Sequence, residues 1–224
     1  MHTFNEFREI FADFYLVIKE GHEKLQIKHR GHGLDHDVTV AMLAVHIAPD
    51  KRSGSMAWCA AMIHSTDRIV TADDNVSVRK LMQTYLVKLP KGHFTPDEIE
   101  EIFTAALNHS EKNKDGQSLT QQILMDADRL ANLMLSLTIR GGQFRPEIPA
   151  LEFEYLAGKP NPRATYPIPS SVLDNIRINI TEYIPQLRLE KAKKIGKEYA
   201  ADIERFIATT ESQYRDIGLT DIRL

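Results

Sequence analysis

Apolar residues recur at helical spacing through most of the chain. Over about residues 5–27 they fall at Phe7, Ile10, Phe11, Phe14, Leu16, Val17 and Ile18, the steps of an amphipathic helix. A second helix is read from Asp35, whose carboxylate can cap free N–H groups, through Val38, Met42, Leu43, Val45 and Ile47 to a stop before Pro49. Over residues 53–65 the apolar character is nearly continuous, which predicts a central, buried helix. A fourth helix covers roughly residues 76–89. Thr95-Pro96-Asp97-Glu98 is a strong helix start: Thr95 can cap, Pro96 suits the first turn and Glu98 can close a capping box. That helix carries Ile99, Ile102, Phe103, Ala106 and Leu107 toward His109. The next is read over residues 118–140, with Gly141-Gly142 as its stop. Prolines at Pro146, Pro149, Pro160, Pro162, Pro167 and Pro169 predict a long loop, with a short helix around residues 151–156. Two more helices follow, over about residues 171–183 and 187–214. Sustained period-2 alternation is missing, so the expected fold class is all-α.

Composition narrows the picture. Hydrophobic residues make up 42% of 224 residues and charged ones 26%, which is enough apolar material for a sizeable core. One domain over residues 1–224 is expected, its core about 28–140 and its C-terminal helices, about 171–215, packed on that core. The formal net charge of −3 gives no global positive field to recruit nucleic acid, although it leaves room for a local basic cleft. Cys59 is the lone cysteine, which excludes an internal disulfide and a cysteine-based zinc cluster and fits a reducing cytoplasm. Inside the apolar run from Met56 to Ile63 it reads as core filler. No stretch approaches the ~18 apolar residues of a membrane span. The first residues lack the basic-then-apolar plan of a signal peptide, so a soluble, cytoplasmic protein is expected.

Four helix-associated features carry candidate chemistry: His32-Gly33-Leu34-Asp35-His36, the run from Ala60 through His64-Ser65-Thr66-Asp67-Arg68, Asn108-His109-Ser110, and Asp126-Ala127-Asp128-Arg129-Leu130. Each alone is weak, since a histidine at a helix end is more often a cap or a surface residue than a ligand. His64 and Asp128, however, interrupt strongly apolar helices, and burying either without partners costs several kcal/mol, of the order of ~2–7. A shared metal is one compensating partner and a hydrogen-bond network is the other. There is no glycine-rich phosphate loop and no dinucleotide fingerprint.

These residues resemble the HD superfamily of helical metal proteins, in which a helix-borne His, a later His-Asp pair and a distant Asp recur in that order. His36 followed by Val40 resembles the first metal histidine and its trailing valine. Ala60-Ala61-Met62-Ile63-His64 resembles the run into the central pair, and Asp128, in Ala-Asp-Arg-Leu, resembles the last metal aspartate. Asn108-His109-Ser110 resembles a segment of the bacterial HD phosphohydrolases with an Asp-Ala-Asp-Arg-Leu helix. The late helix, with Ala192, Ile195, Tyr199, Ile203, Phe206, Ile207 and Glu211, is similar to the closing helix of that group. Asp126 and Asp128, two apart, cannot share a helix face, and the match of frame selects Asp128.

The resemblance implies an HD-like helical bundle holding a divalent metal through His36, His64 and Asp128. Two imidazoles and a carboxylate suit Mn²⁺, Fe²⁺ or Zn²⁺ better than Ca²⁺. It also implies hydrolysis of a phosphate ester or pyrophosphate, commonly of a nucleotide. Lys28, Arg30, His32 and Arg68 are then candidates to bind phosphate, and His109 and Asp67 candidates to act on substrate, Asp67 as general base. One departure stands out: the central pair here is His64-Ser65, and serine is a poorer ligand than an ionised carboxylate. Asp67, three residues beyond His64, could share its helix face and substitute, or it could cap or pair with Arg68. Ser65→Asp is expected to strengthen metal binding unless Asp67 already fills that role. The alternatives are a catalytically impaired HD domain that binds a nucleotide or regulates, and a purely structural helical interaction protein. Oligomeric state is not readable from the pattern.

Overall fold

A computed structural model describes residues 3–24, 32–69, 75–155, 161–166 and 168–218. The fold is all-α, and among the described residues the extended structure amounts to an isolated bridge between Thr165 and Ile168 in the proline-rich loop. The chain divides into two compact units, the first ending at Ala131 and the second beginning at Asn132.

In the first unit, α1 (Phe4–Ile10) and α2 (Ala12–Lys24) replace the single helix read over 5–27. The break is at Phe11, whose backbone leaves helical geometry while its ring is fully buried. That ring lies 5.6 Å from the rings of both Trp58 and Phe94, and 4.9 Å edge-on from His93. Tertiary packing of one aromatic thus overrides a continuous helical pattern. α3 (Leu34–Ile47) is capped by the extended backbone of Gly33 with no side-chain cap. Asp35 therefore lies inside the first turn, where its charge suits the helix dipole, rather than at the cap.

α4 (Lys51–Ile63) is the predicted central helix, buried at every position from Ser53 to Ile63. It starts earlier than its apolar run, because Asp50 caps it by accepting from the Ser53 N–H at 2.9 Å. Trp58, fully buried, is ringed by Phe4, Phe11 and Phe14. Cys59 is buried beside it, and burial pushes its thiol pKa up, which fits core filler. After α4 come a short turn of helix, α5 (Thr66–Ile69), then α6 (Asn75–Leu86) and α7 (Pro96–Leu107). The expected capping box opens α7: Thr95 N–H donates to Glu98 Oε2 at 2.7 Å, and Glu98 N–H donates to Thr95 Oγ1 at 3.3 Å. α8 (Leu119–Ala131) completes the unit, and α3, α4, α7 and α8 pack on one another.

The second unit holds α9 (Ser136–Phe144), α10 (Val172–Tyr183) and α11 (Glu190–Asp216). The helix read over 118–140 therefore ends at Ala131, and Gly141-Gly142 sits inside α9 instead of stopping it. Asn132 explains the break. Its carbonyl accepts from Asn179 Nδ2 of α10 at 3.2 Å, and its side chain accepts from Arg140. Gly141 faces α10, where a Cβ would meet Val172 and Asn175 at 3.6 Å. The expected short helix near 151–156 is a 3-10 turn, Phe153–Tyr155. Ser171 caps α10 by accepting from the Asp174 N–H. On α11 the buried stripe is Ala192, Gly196, Ala200, Ile203, Ile207 and Glu211, and Phe206 is exposed. Glu211 is anchored to Arg177 of α10. Among the described residues no helix is long and apolar enough to cross a membrane.

Candidate metal centre

Four helices of the first unit each deliver one side chain to a common point. His36 stands in the first turn of α3, His64 caps the C-terminus of α4, His109 follows the end of α7, and Asp128 lies on α8. His36 Nε2 lies 3.2 Å from Asp128 Oδ1 and 3.3 Å from His64 Nε2, and His64 Nε2 lies 4.0 Å from Asp128 Oδ1. Together these three residues form a group able to hold a metal ion. The histidines are buried, while the Asp128 side chain is 24% exposed, so the cluster opens to solvent on the α8 side.

The tautomer of His64 is set by its surroundings. Its Nδ1 lies 2.6 Å from the Ala61 carbonyl, which only accepts, so the proton is on Nδ1 and Nε2 presents a lone pair. His109 repeats the arrangement, with Nδ1 donating to the Ala106 carbonyl at 2.8 Å. Three lone-pair-bearing atoms within a few ångströms repel unless a cation or a shared proton lies among them. In the absence of metal, a proton on His36 Nε2 directed to Asp128 relieves part of that repulsion. A divalent cation relieves all of it, and the donor set of two imidazole nitrogens and a carboxylate oxygen fits such an ion. The electrostatics agree. Burial opposes ionisation of Asp128, but the hydrogen bond from His36 and the charges of His36, His64 and His109 hold its carboxyl well below the usual carboxylate range. Burial lowers the proton affinity of His109, and the nearby charge of His64 lowers it further, against opposing pulls from Asp128 and Asp67.

His32 and His109 flank the cluster. The ring centroids of His32, His36, His64 and His109 follow one another at 5.2, 5.1 and 4.9 Å. Asp126, on the other face of α8, is buried against Arg129 at 3.5 Å, which leaves Asp128 as the carboxylate of the site. α4 ends at Ile63, and the chain turns through His64 and Ser65 before α5, which carries Asp67. Asp67 is not one of the three clustered ligands, although it lies near enough to His109 to bear on its charge. Lys28 and Arg30, and the side chain of Arg68, lie outside the described residues.

Two residues escaped the sequence reading. Asp37, directly after His36, is buried, with Oδ1 accepting from Ser65 Oγ at 2.6 Å and lying 3.5 Å from His64 Nδ1. Its Oδ2 lies 2.9 Å from Nε2 of His22, a buried residue of α2 that donates to it. The available signal was adjacency: an aspartate next to a candidate ligand, in the first turn of a helix.

No family model matches the chain, and no curated protein matches it. Among solved structures it is similar to a Northeast Structural Genomics crystal structure from Lactobacillus plantarum, with a TM-score of 0.63 and 20% identity over 91% of this chain and 97% of that one. At that identity the likeness bears on the fold alone.

Proposed function

We propose that this chain is a metal-dependent phosphohydrolase of the HD type, acting on a nucleotide or a related phosphate or pyrophosphate ester. The observation that carries the reading is the convergence of His36 Nε2, His64 Nε2 and Asp128 Oδ1, with the other nitrogen of His64 tied to Ala61. An ion held there supplies Lewis acidity toward a phosphate oxygen and toward water. The protein residues do the rest. The Nδ1 anchors of His64 and His109 fix both rings and keep each Nε2 available. His109, half-buried with a lowered proton affinity, keeps a neutral Nε2 that serves as a proton acceptor toward substrate, and the neighbouring Asp67 and Asp128 oppose that lowering. His32, beside His36, is placed to donate to a phosphate oxygen.

A second reading has its own observation. Ser65 contributes no carboxylate, and its hydroxyl is turned to Asp37, which favours an HD domain that binds a nucleotide without turning it over. Elemental analysis of purified protein, followed by Mn²⁺-dependent hydrolysis of bis(p-nitrophenyl) phosphate, p-nitrophenyl phosphate and a nucleotide panel, separates the two. The first reading expects metal and turnover. Nucleotide binding without turnover supports the second, and protein that neither retains nor binds metal overturns both metal-based readings.

A further inference from the structure

Ser65 has a single hydroxyl proton, and two acceptors compete for it. Asp37 Oδ1 is 2.6 Å away and ionisable, whereas His64 Nε2 is 3.4 Å away. The short contact takes the proton, so the 3.4 Å approach of Ser65 Oγ to His64 Nε2 is left without one, and His36 Nε2 stands 3.3 Å from that same nitrogen. Ligand atoms ~2.0–2.2 Å from a common ion stand ~3.0–3.5 Å apart. The His36–Asp128, His36–His64 and His64–Ser65 separations of 3.2, 3.3 and 3.4 Å fall in that range, and the His64–Asp128 separation is wider at 4.0 Å.

The second oxygen of Asp37 accepts from His22 Nε2 at 2.9 Å, and the residue is buried. A buried negative charge one hydrogen bond behind a hydroxyl raises the donor strength of that oxygen and offsets the charge of a nearby cation. We propose that Ser65 and Asp37 together replace the missing aspartate of the central pair: Ser65 Oγ, its proton held by Asp37, is a further ligand atom for the divalent cation at His36, His64 and Asp128, and Asp37 is its positioning residue. This inference rests on the metal reading proposed above.

The test is titration of metal-free protein with Mn²⁺ alone, read by calorimetry, with the melting temperature of each metal-free variant measured alongside. Ser65→Ala removes the ligand oxygen, and Asp37→Asn keeps an acceptor for the serine proton while removing the charge. Each is expected to weaken Mn²⁺ binding by about tenfold, and the double variant to bind no more weakly than the worse single, because the two act as one unit. Wild-type affinity in Ser65→Ala overturns the proposal, and so does a double variant whose loss is the product of the single losses. Should Asp37→Asn not fold, Ser65→Ala decides alone. His36→Ala separates the two levels. If it leaves Mn²⁺ affinity unchanged, the metal reading itself falls and this inference with it. If it weakens binding while Ser65→Ala does not, the ligand pair alone is wrong.

Discussion

Nε2 of His36 and Nε2 of His64 stand 3.3 Å apart in the interior, although the lone pair of His64 is directed at that point by its Nδ1 bond to Ala61. Two lone pairs facing each other at that distance repel, so the relation calls for a cation between the rings or a proton on His36 Nε2. Each comes from a different helix, so the packing of α3 on α4 sets the distance. Interiors are close-packed, which makes it a rigid distance.

From this relation follows an order of importance among the histidines. His64→Ala and His36→Ala are each expected to weaken Mn²⁺ binding by more than the ~10–100-fold that loss of an outer partner costs. His109→Ala, which removes a flanking ring, is expected to weaken it less than about tenfold while lowering turnover of any accepted substrate. Calorimetric titration of the three variants checks this. Equal losses in His64→Ala and His109→Ala would make His109 a ligand.

The centre depends on the aromatic cluster around Trp58, because α4 both buries that ring and ends on His64. Trp58→Ala removes a fully buried indole in contact with Phe4, Phe11 and Phe14, and is expected to cost ~3–5 kcal/mol of stability. Urea denaturation monitored by circular dichroism measures it. A loss under ~1 kcal/mol would mean that the cluster rearranges around the gap.

Glu98 gives the first unit an acid-sensitive anchor. Hydrogen bonds from Arg52 and from the Thr95 backbone lower its pKa from 4.5 to about 2. A depressed carboxyl stabilises the fold above its ordinary pKa, and that stability fades as the pH falls from about 4.5 toward about 2. Arg52 is 44% exposed, so solvent screening limits the contribution to ~1 kcal/mol. Glu98→Gln is expected to lower stability by that amount at pH 7 and to match wild type near pH 2. Melting temperatures across that range check it, and a difference that stays constant with pH would assign the effect to the cap alone.

Much of this architecture was legible in the pattern of residues. The near-continuous apolar run through Trp58 marked the buried helix, and Thr95 to Glu98 marked a helix start through a purely local capping reaction. His64 and Asp128 stood out because they interrupt apolar helices, and the resemblance to the HD superfamily is what joined them to His36 as a set. The breaks were hidden, because long-range partners make them. Phe11 leaves the helix to reach Trp58 and Phe94, and Asn132 turns the chain by binding Asn179 and Arg140. Asp37 was hidden for a related reason. Read along the chain it is one more acid at a helix start, and only the packing of α2, α3 and the end of α4 brings His22 and Ser65 onto its two oxygens.

Ser65→Asp creates the His-Asp pair of the HD superfamily that the sequence resembles, and from sequence alone it is expected to strengthen metal binding. The surroundings of Ser65 change that expectation. Its hydroxyl lies 2.6 Å from Asp37 Oδ1, and both residues are buried. An aspartate there sets two carboxylates against each other away from water, so that they repel or one takes up a proton. The single variant is therefore expected to lower the melting temperature of the metal-free protein by ~5 °C, a loss of ~2 kcal/mol. Its metal binding should be weaker near pH 6 than near pH 8, because a proton competes with the ion for the paired acids. Adding Asp37→Asn removes the repulsion while keeping an acceptor beside His22. The double variant is expected to recover most of the lost melting temperature and to bind Mn²⁺ at least as tightly as wild type, since a carboxylate then ligates directly. Thermal melts of metal-free protein and Mn²⁺ titrations at both pH values decide the matter. A Ser65→Asp protein that melts like wild type and binds metal more tightly without the second change would show that Asp37 does not hold the negative charge of the pair.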